Sequence, residues 1–138
     1  MLNHLRKIES FIDEHHVLSL ATSNKNELSV CNLFYAYDAK STSFITASSD
    51  DTTHIQHILK NSNIAGTIVL ETKTIGKIQG LQFHGKCTQL DDKSLASIYF
   101  KEFPASIVMK PALWQIKIEY FKMTDNTLGF GKKLIWSI

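Results

Sequence analysis

Ile78-Gln79-Gly80-Leu81-Gln82-Phe83-His84-Gly85-Lys86-Cys87-Thr88-Gln89-Leu90 places Leu81, Phe83 and Cys87 on one side and Gln82, His84 and Lys86 on the other. A period of two marks a strand with one buried face, because successive side chains leave a pleated backbone in opposite directions. The pattern recurs on both sides of this run. Upstream, Leu18, Leu20 and Thr22 alternate with Ser19 and Ala21, and the polar stretch Asn24 to Glu27 turns the chain. A partner strand is predicted from Leu28 to about Asp38. Its residues Cys31, Leu33, Tyr35 and Tyr37 share one face and Val30, Asn32, Phe34 and Ala36 the other, so both faces are expected to be buried. Further strands are predicted at Ser43 to Ala47 and Ile64 to Leu70. Another starts at Trp114, where Trp114, Ile116, Ile118 and Tyr120 alternate with Gln115, Lys117 and Glu119, and a last segment ends at Leu134-Ile135-Trp136.

Helical spacing interrupts the strands three times. Leu2, Leu5, Ile8 and Ile12 form one apolar stripe that ends near His15 and His16, whose imidazoles suit the exposed carbonyls of a last turn. The run Ser48 to His54 is rich in N-capping residues, Asp50 and Asp51 among them, and precedes Ile55, Ile58 and Leu59. Asp91 or Asp92 caps a third helix carrying Leu95, Ile98, Tyr99 and Phe103, which Pro104 stops. The whole, residues 1–138, reads as one mainly β domain with peripheral helices. Six or seven antiparallel strands in so short a chain tend to close on themselves and so remove their edges, which favours a barrel over an open α+β sheet.

Composition narrows the function. The net formal charge of the 138 residues is only +2 and the basic residues are scattered, which excludes a nucleic-acid-binding stripe. Cys31 and Cys87 are too few for a disulfide framework and read as reduced thiols. The start lacks the pattern of a signal peptide and no long apolar run occurs, so a cytoplasmic protein without a membrane span is expected. His54 and His57 share a helical face, but with no third ligand no metal site is assigned. No acid, base and nucleophile form a recognisable set, so no catalytic residue is assigned.

Four segments carry a family resemblance: Asn32-Leu33-Phe34-Tyr35; Phe44-Ile45-Thr46 leading to Thr52-Thr53-His54; Gly80-Leu81-Gln82-Phe83-His84-Gly85; and the distinctive Thr124-Asp125-Asn126-Thr127-Leu128-Gly129-Phe130-Gly131-Lys132-Lys133. Over almost its whole length the chain resembles the FMN-binding split barrels around pyridoxamine 5'-phosphate oxidase, and within them the single-domain YhbP-type branch. The resemblance implies a Greek-key-like split β-barrel, a homodimer, and FMN or another small molecule in clefts between the subunits.

It also implies a site. Thr46 matches a position near the flavin phosphate, and Thr52, Thr53 and His54 match a Ser-Arg-Lys triplet that grips the phosphate in the oxidase. An Arg and a Lys of the oxidase's second barrel strand correspond to Val30 and Tyr35 here, which argues against pyridoxamine phosphate oxidase activity itself. Gln82 is placed to reach the polar edge of the ring, while the flavin-contacting Gln of the oxidase corresponds to Gly80. Lys132 and Lys133 are the candidates to restore the missing positive charge if a partner subunit brings them near. Three functions stay open: an FMN-dependent oxidoreductase acting on an unknown small molecule, a cofactor-poor dimeric binding module without redox activity, and a haem-handling protein, since split barrels include haem-degrading relatives.

Overall fold

The computed structural model describes residues 2–138; Met1 and the side chain of Leu2, counted above in the first apolar stripe, lie outside the described residues. Helix α1 (Leu2–Asp13) buries Ile8, Phe11 and Ile12, and the His15 Nδ1–H donates to the Phe11 carbonyl at 2.8 Å, which ties off the helix end. The hairpin β1 (Val17–Asn24) and β2 (Glu27–Phe34) turns at Lys25 and Asn26, and Lys25 takes a φ of 57°. Then follow β3 (Ala36–Asp38), β4 (Ser43–Ala47), α2 (Thr53–Lys60), β5 (Asn63–Val69), β6 (Gln79–Gln89), α3 (Lys93–Glu102), β7 (Leu113–Asp125) and β8 (Lys133–Ser137). Pro104–Met109 adds a 3₁₀ segment in the stretch read as irregular.

All eight strands form one antiparallel sheet in the order β2-β1-β5-β6-β7-β4-β3, with β8 also on β7. β7 is its spine. One edge of β7 pairs with β6 along most of its length, while the other is shared between β4, at residues 113–117, and β8, at residues 120–124. The sheet wraps Phe44, Phe83, Phe121, Leu18, Leu20 and the inner face of α1 into one core. A smaller core of Ala36, Ile45, Tyr99 and Leu113 joins α3 to the other face of β3 and β4.

The result is an open, curled half-barrel of the split-barrel kind, where the sequence favoured closure into a cylinder. The two edge strands, β2 and β3, are successive in the chain, and the predicted single strand from Leu28 to Asp38 breaks between them at Tyr35. The Tyr35 N–H donates to the His16 carbonyl at 3.0 Å and its hydroxyl to the Ile12 carbonyl at 2.6 Å, so this residue is tied to the end of α1 and the ladder is interrupted. That break also makes eight strands of the predicted six or seven.

A second departure lies in β7. Its register against β6 slips between His84 and Gly85, leaving Glu119 as an extra residue. Such a bulge reverses the phase of every later side chain. Trp114, Ile116 and Ile118 point inward before it, as predicted; after it Phe121 and Met123 do, and Tyr120 moves to the outer face. Gly85 makes the bulge possible, because a Cβ there would collide with the Lys117 carbonyl oxygen.

The helix caps fall within the predicted runs. Neither Asp50 nor Asp51 caps α2: Thr52 does, its hydroxyl accepting from the Ile55 N–H. Asp50 and Asp51 precede the capping position and are exposed. Leu59 is exposed, and His54 and His57 take the buried face beside Ile55 and Ile58. Asp92 rather than Asp91 caps α3, accepting from the Ser94 and Leu95 N–H groups.

Candidate functional site

The outer face of β2 is not buried within the chain. Leu28, Val30 and Phe34 are 84, 72 and 55 % exposed, which corrects the expectation that both faces of this strand are covered. Ladder register extends this face across the sheet. Val30 pairs with Ala21, Ala21 with Ala65, Ala65 with His84 and His84 with Tyr120, while the adjacent row runs Asn32, Ser19, Thr67, Gln82, Lys122 and Ile135. Val17, Val69 and Gly80 lie in the row beyond. A hollow of about 330 Å³ opens in the middle of this face, floored by β1, β5 and β6 and bordered by Val30, Gln82, His84 and Tyr120. That volume lies at the small end of ligand pockets.

Its chemistry is apolar with neutral polar points. Ser19 Oγ–H donates to the Asn32 side-chain oxygen at 2.7 Å, and the His84 and Tyr120 rings stack with centroids 4.7 Å apart and planes inclined by 16°. The pair offers a flat aromatic wall with a polar edge. Gly66 lies behind the hollow and lets the Phe83 ring close the core, since a Cβ there would run into that ring and lie 2.5 Å from the Ser19 carbonyl oxygen.

The other candidates lie elsewhere. Thr46 is 1 % exposed and pairs with Trp114 on β7, eight residues from the Lys122 that faces Gln82, or about 25 Å of strand. Thr53 is exposed at the start of α2, and the Thr52 hydroxyl is already engaged, donating to the Ser49 carbonyl at 2.8 Å besides capping the helix. His54 is 8 % exposed with its Nε2 2.8 Å from the Ser48 hydroxyl, and burial lowers its pKa, so the ring is neutral at pH 7. Lys132 and Lys133 are exposed at the β7–β8 turn, Lys133 opposite Thr124. Within one chain the structure therefore brings Gln82 and Lys133 onto one face and leaves Thr46, Thr52, Thr53 and His54 at the far end of the sheet. Two residues of the outer face escaped sequence reasoning, Tyr120 and Lys122. The adjacent aromatics Tyr120-Phe121 were the available sign, because two large rings in succession break a strict alternation.

The distinctive 124–133 segment is a locked turn. Asp125, 6 % exposed, accepts from the Thr127 N–H and hydroxyl and from Gln79 Nε2. Asn126 donates from Nδ2 to the Ile75 carbonyl at 2.8 Å and accepts the Gly131 N–H at 2.9 Å, while Gly129 and Gly131 take φ of 134° and 72°. Those positive φ values explain both glycines.

The remaining titratable groups do not form a centre. Cys31 and Cys87 are both free thiols, and burial pushes Cys87 up to about 12, which leaves it inert. His57 Nδ1 lies 2.9 Å from the Thr22 hydroxyl, and no group of three metal-ligating side chains occurs among the described residues. No helix is long and apolar enough to cross a membrane among the described residues.

The burial of His54 has a pH consequence. Its folded pKa lies below its ordinary 6.5, so below that value the unfolded chain binds the proton more readily than the native one. Stability is therefore complete above about pH 6.5 and falls as the pH drops through that value toward the depressed folded pKa. Urea unfolding between pH 5 and 8 should show this slope, and His54→Gln should flatten it; an equal slope in the variant would place the proton uptake elsewhere.

Comparison with solved structures places the geometry in a class. A NimC/NimA-family protein from Clostridium acetobutylicum superposes with a TM-score of 0.75 at 13 % identity, over 99 % of this chain and 93 % of that one. A FAD-binding protein from Mesorhizobium loti gives 0.74 at 14 %, over 86 and 90 %. A heme-binding protein from Mycobacterium smegmatis gives 0.71 at 13 %, over 88 % of this chain and 52 % of that one. These likenesses show a shared fold, the open, curled split barrel described above. No family model matches the chain. Curated relatives do: a UPF0306 protein of Serratia proteamaculans (strain 568) is 38 % identical over 135 residues, 96 % of this chain and 94 % of the relative. The UPF0306 protein YhbP of Escherichia coli O127:H6 (strain E2348/69 / EPEC) is 35 % identical over 135 residues, 96 % of each. The chain belongs to the UPF0306 family.

Proposed function

We propose that the protein is a cytoplasmic homodimer that binds FMN on the outer sheet face, at the seam between two copies, and serves as a flavin-dependent oxidoreductase for a small molecule. The observation that carries the reading is the exposed apolar outer face, with Leu28, Val30, Phe34 and Val69 each more than half exposed around a hollow with an aromatic wall. Exposed apolar surface that is continuous in this way marks an interface or a ligand groove. A two-fold dimer over it makes two equal clefts. Gln82 offers hydrogen bonds to the polar rim of the ring, and the flavin when bound supplies hydride or electron transfer, for which the protein provides orientation and electrostatics.

The neutral, buried His54 and buried Thr46 favour a second reading, the cofactor-poor dimeric module, because a phosphate dianion is best held by charge-assisted bonds. Titration of the purified protein with FMN, followed by flavin fluorescence and melting temperature, separates the two. Saturable micromolar binding with a stability gain that grows with ligand concentration is expected. No effect up to about 1 mM, which corresponds to about 4 kcal/mol of binding, would replace the flavin reading with the module. A haem titration under the same conditions identifies a haem-handling protein if a saturable haem absorption band appears and the FMN signal does not. Solution scattering should report twice the chain mass, and a monomer would remove the seam.

A further inference from the structure

The end of the sheet where β5 turns into β6 and β7 into β8 is strongly cationic. Residues 70–79 and 122–133 together hold five lysines, Lys73, Lys77, Lys122, Lys132 and Lys133, against Glu71 and the buried, hydrogen-bonded Asp125. In a chain of net charge +2 this end carries the whole positive excess. Two of these lysines belong to the outer face itself. Lys122 stands directly opposite Gln82, and Lys133 opposite Thr124, which pairs with Gly80. Strand spacing and rise put the Lys133 Cα about 12 Å from that of Gln82.

Neither cation is balanced. Lys86, on the same face beyond His84, lies 3.9 Å from Glu119, but among the described residues Lys122 and Lys133 have no carboxylate within 4 Å. Among the described residues Lys133 Nζ donates only to the Gly131 carbonyl, at 3.1 Å, on a turn that Asn126 and Asp125 hold rigid. A cation on a locked turn loses little freedom when it meets an anion. The opposite end of the molecule offers the reverse. There His54 is neutral, the Thr52 hydroxyl is engaged, and Asp50 and Asp51 stand just before the start of α2, where they repel an anion.

We infer that the phosphomonoester end of the ligand is held by Lys122 and Lys133, at the β7–β8 end of the outer face, and not at the start of α2. The inference rests on the flavin reading above and deepens it. The ring lies against the His84–Tyr120 wall, and the phosphate chain runs along β7 toward the two ammonium groups. Discrimination between phosphorylated and unphosphorylated flavin is therefore a property of these two side chains.

The test uses FMN and riboflavin, which share the ring and differ in the phosphate, against the wild type, K122Q/K133Q and T52A/T53A, with a melting curve for each. Wild type should bind FMN more tightly than riboflavin. K122Q/K133Q should lose about ten- to a hundredfold in FMN affinity, the order for removing charge-assisted bonds to a dianion, with riboflavin affinity unchanged. T52A/T53A should keep the wild-type ratio. If K122Q/K133Q binds FMN as wild type does while the preference over riboflavin persists, the phosphate is held elsewhere and this inference is overturned with the flavin reading intact. If neither flavin binds the wild type, both fall together. Both lysines are outside the core, so melting curves like the wild type's are expected and separate lost affinity from lost fold.

Discussion

Gly85→Ala should lower the unfolding midpoint by roughly 10–15 °C, the equivalent of about 3–4 kcal/mol in a domain of this size. The added Cβ would meet the Lys117 carbonyl oxygen and come within 3.0 Å of Ile118 Cα, and both are backbone atoms of the neighbouring strand. Neither can rotate away, so the β6–β7 ladder must separate at the bulge. The same bulge turns Tyr120 outward to stack on His84, so the substitution should also weaken any ligand that leans on that wall. Thermal unfolding followed by circular dichroism reads the first effect. A variant as stable as the wild type would show that β7 does not change phase at Glu119.

Phe44→Ala should destabilise by about 3–5 kcal/mol, the usual range for emptying an aromatic site in a packed core. Phe44 is 0 % exposed, and its ring centroid lies 5.0 Å from Tyr35, 5.3 Å from Tyr37, 5.0 Å from Phe83 and 6.3 Å from Phe121. These partners come from β3, β6, β7 and the break at Tyr35, so one ring joins an edge of the sheet to its middle. Tilted and edge-on contacts of this kind add to simple burial. Phe44→Leu, which fills most of the space, should cost well under half as much in urea titrations; equal losses would mean that ring geometry rather than volume sustains the site.

Elements were legible where a pattern is local. The alternation in Ile78 to Leu90 and the stripe of Leu5, Ile8 and Ile12 report burial residue by residue, and β6 and α1 lie where those patterns put them. What escaped depends on contacts distant in sequence. The break at Tyr35 follows from two hydrogen bonds to the end of α1, and the phase change in β7 from the close backbone approach that Gly85, 34 residues upstream of Glu119, permits. The apolar outer face of β2 misled for a related reason: Leu28, Val30 and Phe34 look like core by residue type, but whether a strand face is covered depends on elements distant in sequence, and here they stay exposed. Of the residues read from the sequence as a candidate site, Gln82 and Lys133 share a face. Lys122 was missed because its orientation depends on the bulge.

The pairing order of the sheet also bears on how the chain assembles as it is made. β4 rests on β7, with Ser43 opposite Lys117 and Ala47 opposite Leu113, so its only partner besides β3 is synthesised about 70 residues later. At ribosomal speed that interval lasts roughly 4 to 14 seconds. During it the four buried residues of β4, Ser43 to Thr46, have only the short β3 to pair with. The nascent protein therefore carries its most buried strand as its longest-waiting one, and the β4–β7 ladder can form only once residues 113–117 have emerged.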